Sequence, residues 1–132
     1  MPLKLSLKPG EKLFIAGAVL QNGPHGAELT VLNDVPVLRE KDILTEQSAD
    51  TLAKRVYLCV QLMYMDAANL FDYQQKYALL VQEALKSWPD AADIIARTNA
   101  DLACGRFYPA LRTVRELVEL EQERSGVNSS GA

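Results

Sequence analysis

The spacing of apolar residues changes once along this chain, near Ile43, and that change sets the fold class. Before it, Leu3, Leu5 and Leu7 alternate with Lys4, Ser6 and Lys8, the period-two pattern of a strand with one apolar and one polar face. Pro9-Gly10 turns the chain, and residues 12–20 then read as a second strand. Asn22-Gly23-Pro24-His25-Gly26 is a loop of turn formers, residues 27–33 form a third strand, and residues 35–39 a fourth. Pro36 places that last strand at an edge, because it cannot donate a ladder hydrogen bond.

Beyond Ile43 the apolar positions recur every three to four residues. Ser48 or Asp50 is placed to cap a helix that buries Val56, Cys59, Val60 and Met63, with Leu58, Leu62 and Met65 continuing around the other side. Gln61 is its main polar interruption, so this helix belongs at the centre of a bundle. A second helix over 70–86 is expected to turn Phe71, Tyr77, Leu80, Val81, Ala84 and Leu85 inward. Pro89 suits the first turn of a third helix that ends at Gly105, and Pro109 starts a fourth with Leu111, Val114, Leu117 and Val118 on its buried stripe. The fold class is therefore α+β: a small N-terminal antiparallel β-sheet followed by a bundle of about four α-helices. The predicted organisation is a β-rich segment over 1–44, a helical segment over 45–124, and a small, polar, disordered tail over 125–132.

Charge narrows the function classes. The formal net charge is −3, so no global positive field favours wrapping a nucleic acid along the whole chain. Residues 1–44 balance five Lys or Arg against five Asp or Glu, and the remainder carries nine against twelve. A neutral sheet can still bind phosphate if its five cations converge on one face. Neither a signal-like apolar start nor a membrane-length run is visible, and Cys59 and Cys104 lack C-x-x-C spacing, which points to a cytoplasmic protein with buried free thiols. His25 stands alone in a Gly/Pro turn, without the second group that would position a catalytic base. Phosphate-cradling glycine runs and metal-ligand spacings are missing too. We therefore expect no enzyme, metal or cofactor.

Two segments are specific: Leu-Lys-Leu-Ser-Leu-Lys-Pro-Gly-Glu-Lys at 3–12 and Val-Leu-Arg-Glu-Lys-Asp-Ile at 37–43. With Ala-Val-Leu-Gln-Asn at 18–22 and the helical remainder, the chain resembles the FlbT family of flagellar regulators from residue 1 to about 120. That resemblance implies a post-transcriptional regulator that associates with the 5′ untranslated region of flagellin mRNA and promotes its decay or represses its translation, with some members acting positively. The front segment also resembles the CsrA family of translational regulators, whose first and last strands lie side by side as the RNA surface. By that resemblance Arg39 is the leading RNA-binding residue, with Lys8 and Leu5 beside it, and alternation along the first strand adds Lys4. The match departs at Leu7, where the pattern has a basic residue, at Leu38, which replaces a histidine, and at Lys41-Asp42, which adds a residue.

Physical chemistry supports two readings of that face. Lys4, Ser6 and Lys8 share one side of the strand, and an arginine fork can grip phosphate or a guanine edge bidentately where lysine cannot. Lysines on an edge strand also serve simply to prevent edge-to-edge aggregation. The acidic helical part suggests a second kind of partner, flagellin or another flagellar assembly protein, held by the helices. No membrane partner is expected, and the oligomeric state is open, a homo-oligomer included.

Overall fold

Five strands make up the first part of the chain where the sequence suggested four, because residues 12–20 fold back on themselves. The strands are β1 (Leu3–Leu7), β2 (Lys12–Ile15), β3 (Ala18–Gln21), β4 (Ala27–Val31) and β5 (Val37–Arg39). They come from a computed structural model that describes residues 2–130, with side chains as far as Ser125. A two-residue turn, Ala16-Gly17, separates β2 from β3, with φ values of 48° and 92°. Positive φ at both central residues matches the twist of a hairpin, and Gly17 was the sequence signal that the apolar run obscured. Ala16 adopts this left-handed conformation against the steric preference of its Cβ.

The strands form two small antiparallel sheets rather than one. β1 pairs with β4, and the other sheet has the order β3-β2-β5. Leu5 and Leu7 from β1, Leu13 from β2 and Val37 from β5 make the core between them, flanked by Ile15, Leu29, Val31 and Val35. Phe14 and Leu38 face each other in register and are buried on the opposite side of β2 and β5. The unit formed by these strands ends at Ile43, and a second begins at Leu44.

The second unit contains four helices, α1 (Leu52–Met65), α2 (Leu70–Ser87), α3 (Ala92–Ala103) and α4 (Phe107–Ser130). The architecture is α+β, as the change of period implied. Thr51 caps α1, its side chain accepting from the Lys54 N–H at 3.3 Å. Ser48 closes the preceding turn with Thr45 instead, and Asp50 pairs with Lys54. α1 packs against α2 and α4, and α3 packs against α4. Every residue of α1 except Arg55 is buried or half-buried, so it is the central helix. Val56, Cys59, Val60 and Met63 are all buried, as expected. Gln61 is buried yet satisfied, because its amide accepts from Leu44 N–H at 2.8 Å and donates to Leu44 C=O at 2.9 Å. The side chain of Glu121, buried on α4, accepts from Ala53 N–H at 3.1 Å at the N-terminus of α1.

Two expectations fail in detail. Phe71 is 68% exposed rather than inward. The buried stripe of α2 runs through Tyr77, Val81 and Ala84, and at about 100° per residue Phe71 lies about 120° from its centre. Cys104 is exposed just beyond the end of α3, where Arg106 N–H closes back on Asp101 C=O. Of the tail expected over 125–132, residues 125–130 fall at the end of α4; residues 131–132, and the side chains from 126 onward, lie outside the described residues.

Two stability outcomes follow from this packing. Val60→Ala or Met63→Ala should cost about 1–4 kcal/mol in urea unfolding, through lost transfer energy and a residual cavity. Ala16→Asn should raise stability by about 0.5–1 kcal/mol, because Asn tolerates the left-handed conformation that the hairpin imposes.

Candidate nucleic-acid interface

The turn after β1 is fixed by its own sequence. Glu11 N–H donates to Lys8 C=O at 3.1 Å, with Pro9 and Gly10 between them and Gly10 at φ 72°. Proline then glycine at the two central positions is the residue preference of a type II turn. Glu11 closes the same turn a second time, its carboxylate accepting from Lys8 N–H at 2.9 Å. Asn22 ties the turn to the next loop by donating through its amide to Lys8 C=O and His25 C=O, both at 2.8 Å.

Arg39 reaches into this arrangement from β5. Its Nη1 donates to Ser6 C=O at 2.9 Å and to Glu11 Oε2 at 3.2 Å. The arginine thereby links the three-stranded sheet to β1 through one ion pair and one backbone acceptor. Its side chain remains 28% exposed. The Lys8 backbone N–H, and then the Arg39 guanidinium, hold the Glu11 carboxyl below its ordinary pKa, against the opposing effect of partial burial.

The four residues singled out by sequence meet different fates. Lys4 and Lys8 are exposed, and Lys4 shares the solvent face of β1 with Ser6, roughly 7 Å along the strand. Opposite them on β4 stand Thr30, paired with Lys4, and Glu28, paired with Ser6, so the face is less basic than β1 alone suggested. Leu5 is buried in the core, which removes its side chain from that face. Arg39 and Lys8 do converge, but through Glu11. The strands themselves are not neighbours: β1 pairs with β4 and β5 with β2, unlike the side-by-side first and last strands that the CsrA resemblance implied.

Glu11 and Asn22 are the organising residues that sequence reasoning passed over. Glu11 lay inside the quoted Lys-Pro-Gly-Glu stretch, so its position carried a signal, but its partner 28 residues away did not. Asn22 read only as a turn former. Among the described residues, no group of three or more His, Cys, Asp or Glu is placed to hold a metal, and no helix is long and apolar enough to cross a membrane.

The Glu11 contacts make a pH prediction. A carboxylate whose pKa falls on folding stabilises the folded state above its unfolded-state value, and that contribution is lost as pH falls through the folded-state value. Stability of the native protein should therefore drop more steeply than that of Glu11→Gln between about pH 5 and about pH 3, measured by urea midpoint. Parallel curves would show that the pairing contributes nothing.

Comparison with known proteins gives this geometry a family. The family model for "Flagellar protein FlbT" matches residues 3–124. "Flagellum biosynthesis repressor protein FlbT" from Caulobacter vibrioides is 40% identical over 134 residues, covering 99% of this chain and 94% of the relative. "Probable flagellum biosynthesis repressor protein FlbT" from Rhodopseudomonas palustris is 38% identical over 123 residues, covering 93% of this chain and 97% of the relative. No solved structure matches the chain. A match of this extent, reaching from β1 into α4, has one reading: the chain belongs to the FlbT family of flagellar proteins.

Proposed function

We propose that this protein is a cytoplasmic repressor of flagellum biosynthesis that acts after transcription, binding the 5′ untranslated region of flagellin mRNA and repressing translation or promoting decay. The observation that carries the regulatory part is the family match over nearly the whole chain, with relatives named as repressors. The RNA part rests on the first unit, where Lys4, Ser6 and Lys8 lie exposed together and Arg39 is anchored beside Ser6. A single-stranded leader suits such a face, since its unstacked bases and phosphates are open to side chains. Anchoring by Glu11 and Ser6 holds one edge of the guanidinium and fixes the direction of the rest, which lowers the entropy lost on gripping a phosphate or base edge.

A gel-shift of the purified protein with a flagellin leader and a scrambled leader, at several salt concentrations, tests this. Arg39→Ala should weaken leader binding more than Lys4→Ala and narrow the gap between the two RNAs, since a bidentate arginine contact is worth roughly 1–3 kcal/mol of discrimination. Lys8→Ala should weaken both RNAs alike and flatten the salt slope by about 0.7 per phosphate contact. Glu11→Gln separates the roles of Arg39: it keeps the guanidinium while removing its charged anchor, so the gap between the two RNAs should narrow as the arginine loses its fixed direction. Variants are compared at matched thermal stability. Absence of any leader preference in the native protein at every salt concentration would refute the reading.

One observation favours a second reading, a protein-binding adaptor for flagellin or another flagellar assembly protein. Phe71 and Leu79 are 68% and 65% exposed on α2, with Gln75 between them in the same row of the helix. Large apolar side chains aligned on an open helix face fit a partner helix better than RNA. In that case Phe71→Ser would abolish the partner contact while Arg39→Ala left it intact.

A further inference from the structure

Of the strands that bound the two sheets, β3 is the one without protection against pairing. β1 carries Lys4, β4 carries Glu28, and β5 carries Arg39 and follows Pro36. Charges and prolines at such positions are the usual means by which edge strands avoid each other. β3 is Ala-Val-Leu-Gln, with no charge or proline, and all four residues are exposed. Val19 is 71% and Leu20 43% exposed, although their cross-strand neighbours Phe14 and Leu13 are buried. Both faces of β3 are therefore open, and β2 is its one strand neighbour among the described residues.

The hydrogen-bond parity of the hairpin decides what this edge can accept. Asn22 N–H donates to Glu11 C=O at 2.8 Å, and Ala16 N–H, on the other side of β2, donates to Pro36 C=O at 2.9 Å. Because bonding direction alternates along an antiparallel strand, Ala18 and Leu20 point their backbone groups at β2. The N–H and C=O of Val19 and Gln21 then point outward. A second copy of β3, antiparallel about a two-fold axis at Leu20, brings Val19 opposite Gln21 of the copy and Gln21 opposite its Val19. Both pairs can exchange two backbone bonds. Leu20 meets its own copy in the intervening pair, where side chains approach most closely. Self-pairing also sets no like charges against each other, since the strand has none.

We propose that two copies of this chain associate through β3, forming a continuous six-stranded sheet about a two-fold axis at Leu20. A contact built on four residues a side falls well short of the roughly 800 Å² per partner of a stable interface, so the dimer is weak and concentration-dependent. A two-fold contact consumes the edge on both copies and stops at two. The dimer is independent of RNA binding, because β3 carries none of the residues assigned to the leader.

The test uses the full chain in a Cys104→Ser background, which removes the exposed thiol and leaves buried Cys59. Leu20→Cys should form an intermolecular disulfide under mild oxidation, while a cysteine at exposed Leu32, away from the axis, should not do so at the same protein concentration. Sedimentation equilibrium should show a monomer–dimer equilibrium in the native protein. Leu20→Lys, which sets two cations face to face at the axis, should abolish it with the circular dichroism spectrum unchanged. A native protein that stays monomeric to millimolar concentration, no Leu20→Cys disulfide, or association beyond two copies would each overturn the proposal.

Discussion

The first unit depends on one carboxylate. Glu11 receives Lys8 N–H on one oxygen and Arg39 Nη1 on the other, and the same Nη1 reaches Ser6 C=O. These contacts close the turn between β1 and β2 and connect β5 to β1, two strands that share no ladder. Beside it, the two small sheets are held by the cluster around Leu5, Leu7, Leu13 and Val37 and by the Asn22 amide bonded to Lys8 C=O. A partly exposed ion pair supplies little stability by itself. Its value here lies in direction, because it fixes where the guanidinium points and how the Lys8 turn is presented.

The same contact sets the terms on which RNA could be bound. An arginine already paired with a carboxylate presents less net charge than a free one, so any phosphate must compete with Glu11 or use the donors that Nη1 does not occupy. The face around it is also diluted by Glu28. In the proposed mode, electrostatic attraction from Lys4 and Lys8 would provide encounter, and the anchored guanidinium would provide discrimination. That division of labour would suit a chain whose overall charge is negative.

Much of the fold was legible because it depends on periodicity. The stripe Val56, Cys59, Val60 and Met63 defined the central helix, and Pro89 and Gly105 bounded the third. What periodicity missed was local or distant in sequence. The Ala16-Gly17 turn was hidden because Leu13 to Leu20 is apolar throughout, so nothing in the pattern marked a reversal except one glycine. Phe71 misled because hydrophobicity suggests burial, whereas its angular position on α2 decides otherwise. In the candidate site, Lys4 and Lys8 followed from alternation along β1, but Leu5 was carried over by resemblance and proved to be core. The Arg39–Glu11 pair joins residues 28 apart, and no single-sequence rule connects them.

The central claim is that the leader is bound by the first unit, on the face organised by Arg39 and Glu11. Titrating flagellin leader RNA into isotopically labelled protein and following the backbone amide spectrum tests it residue by residue. The account predicts shifts concentrated in residues 4–11 and 39–41, absent with scrambled RNA, and α2 amides left in place. Shifts confined to the helices, or the same shifts with either RNA, would contradict it.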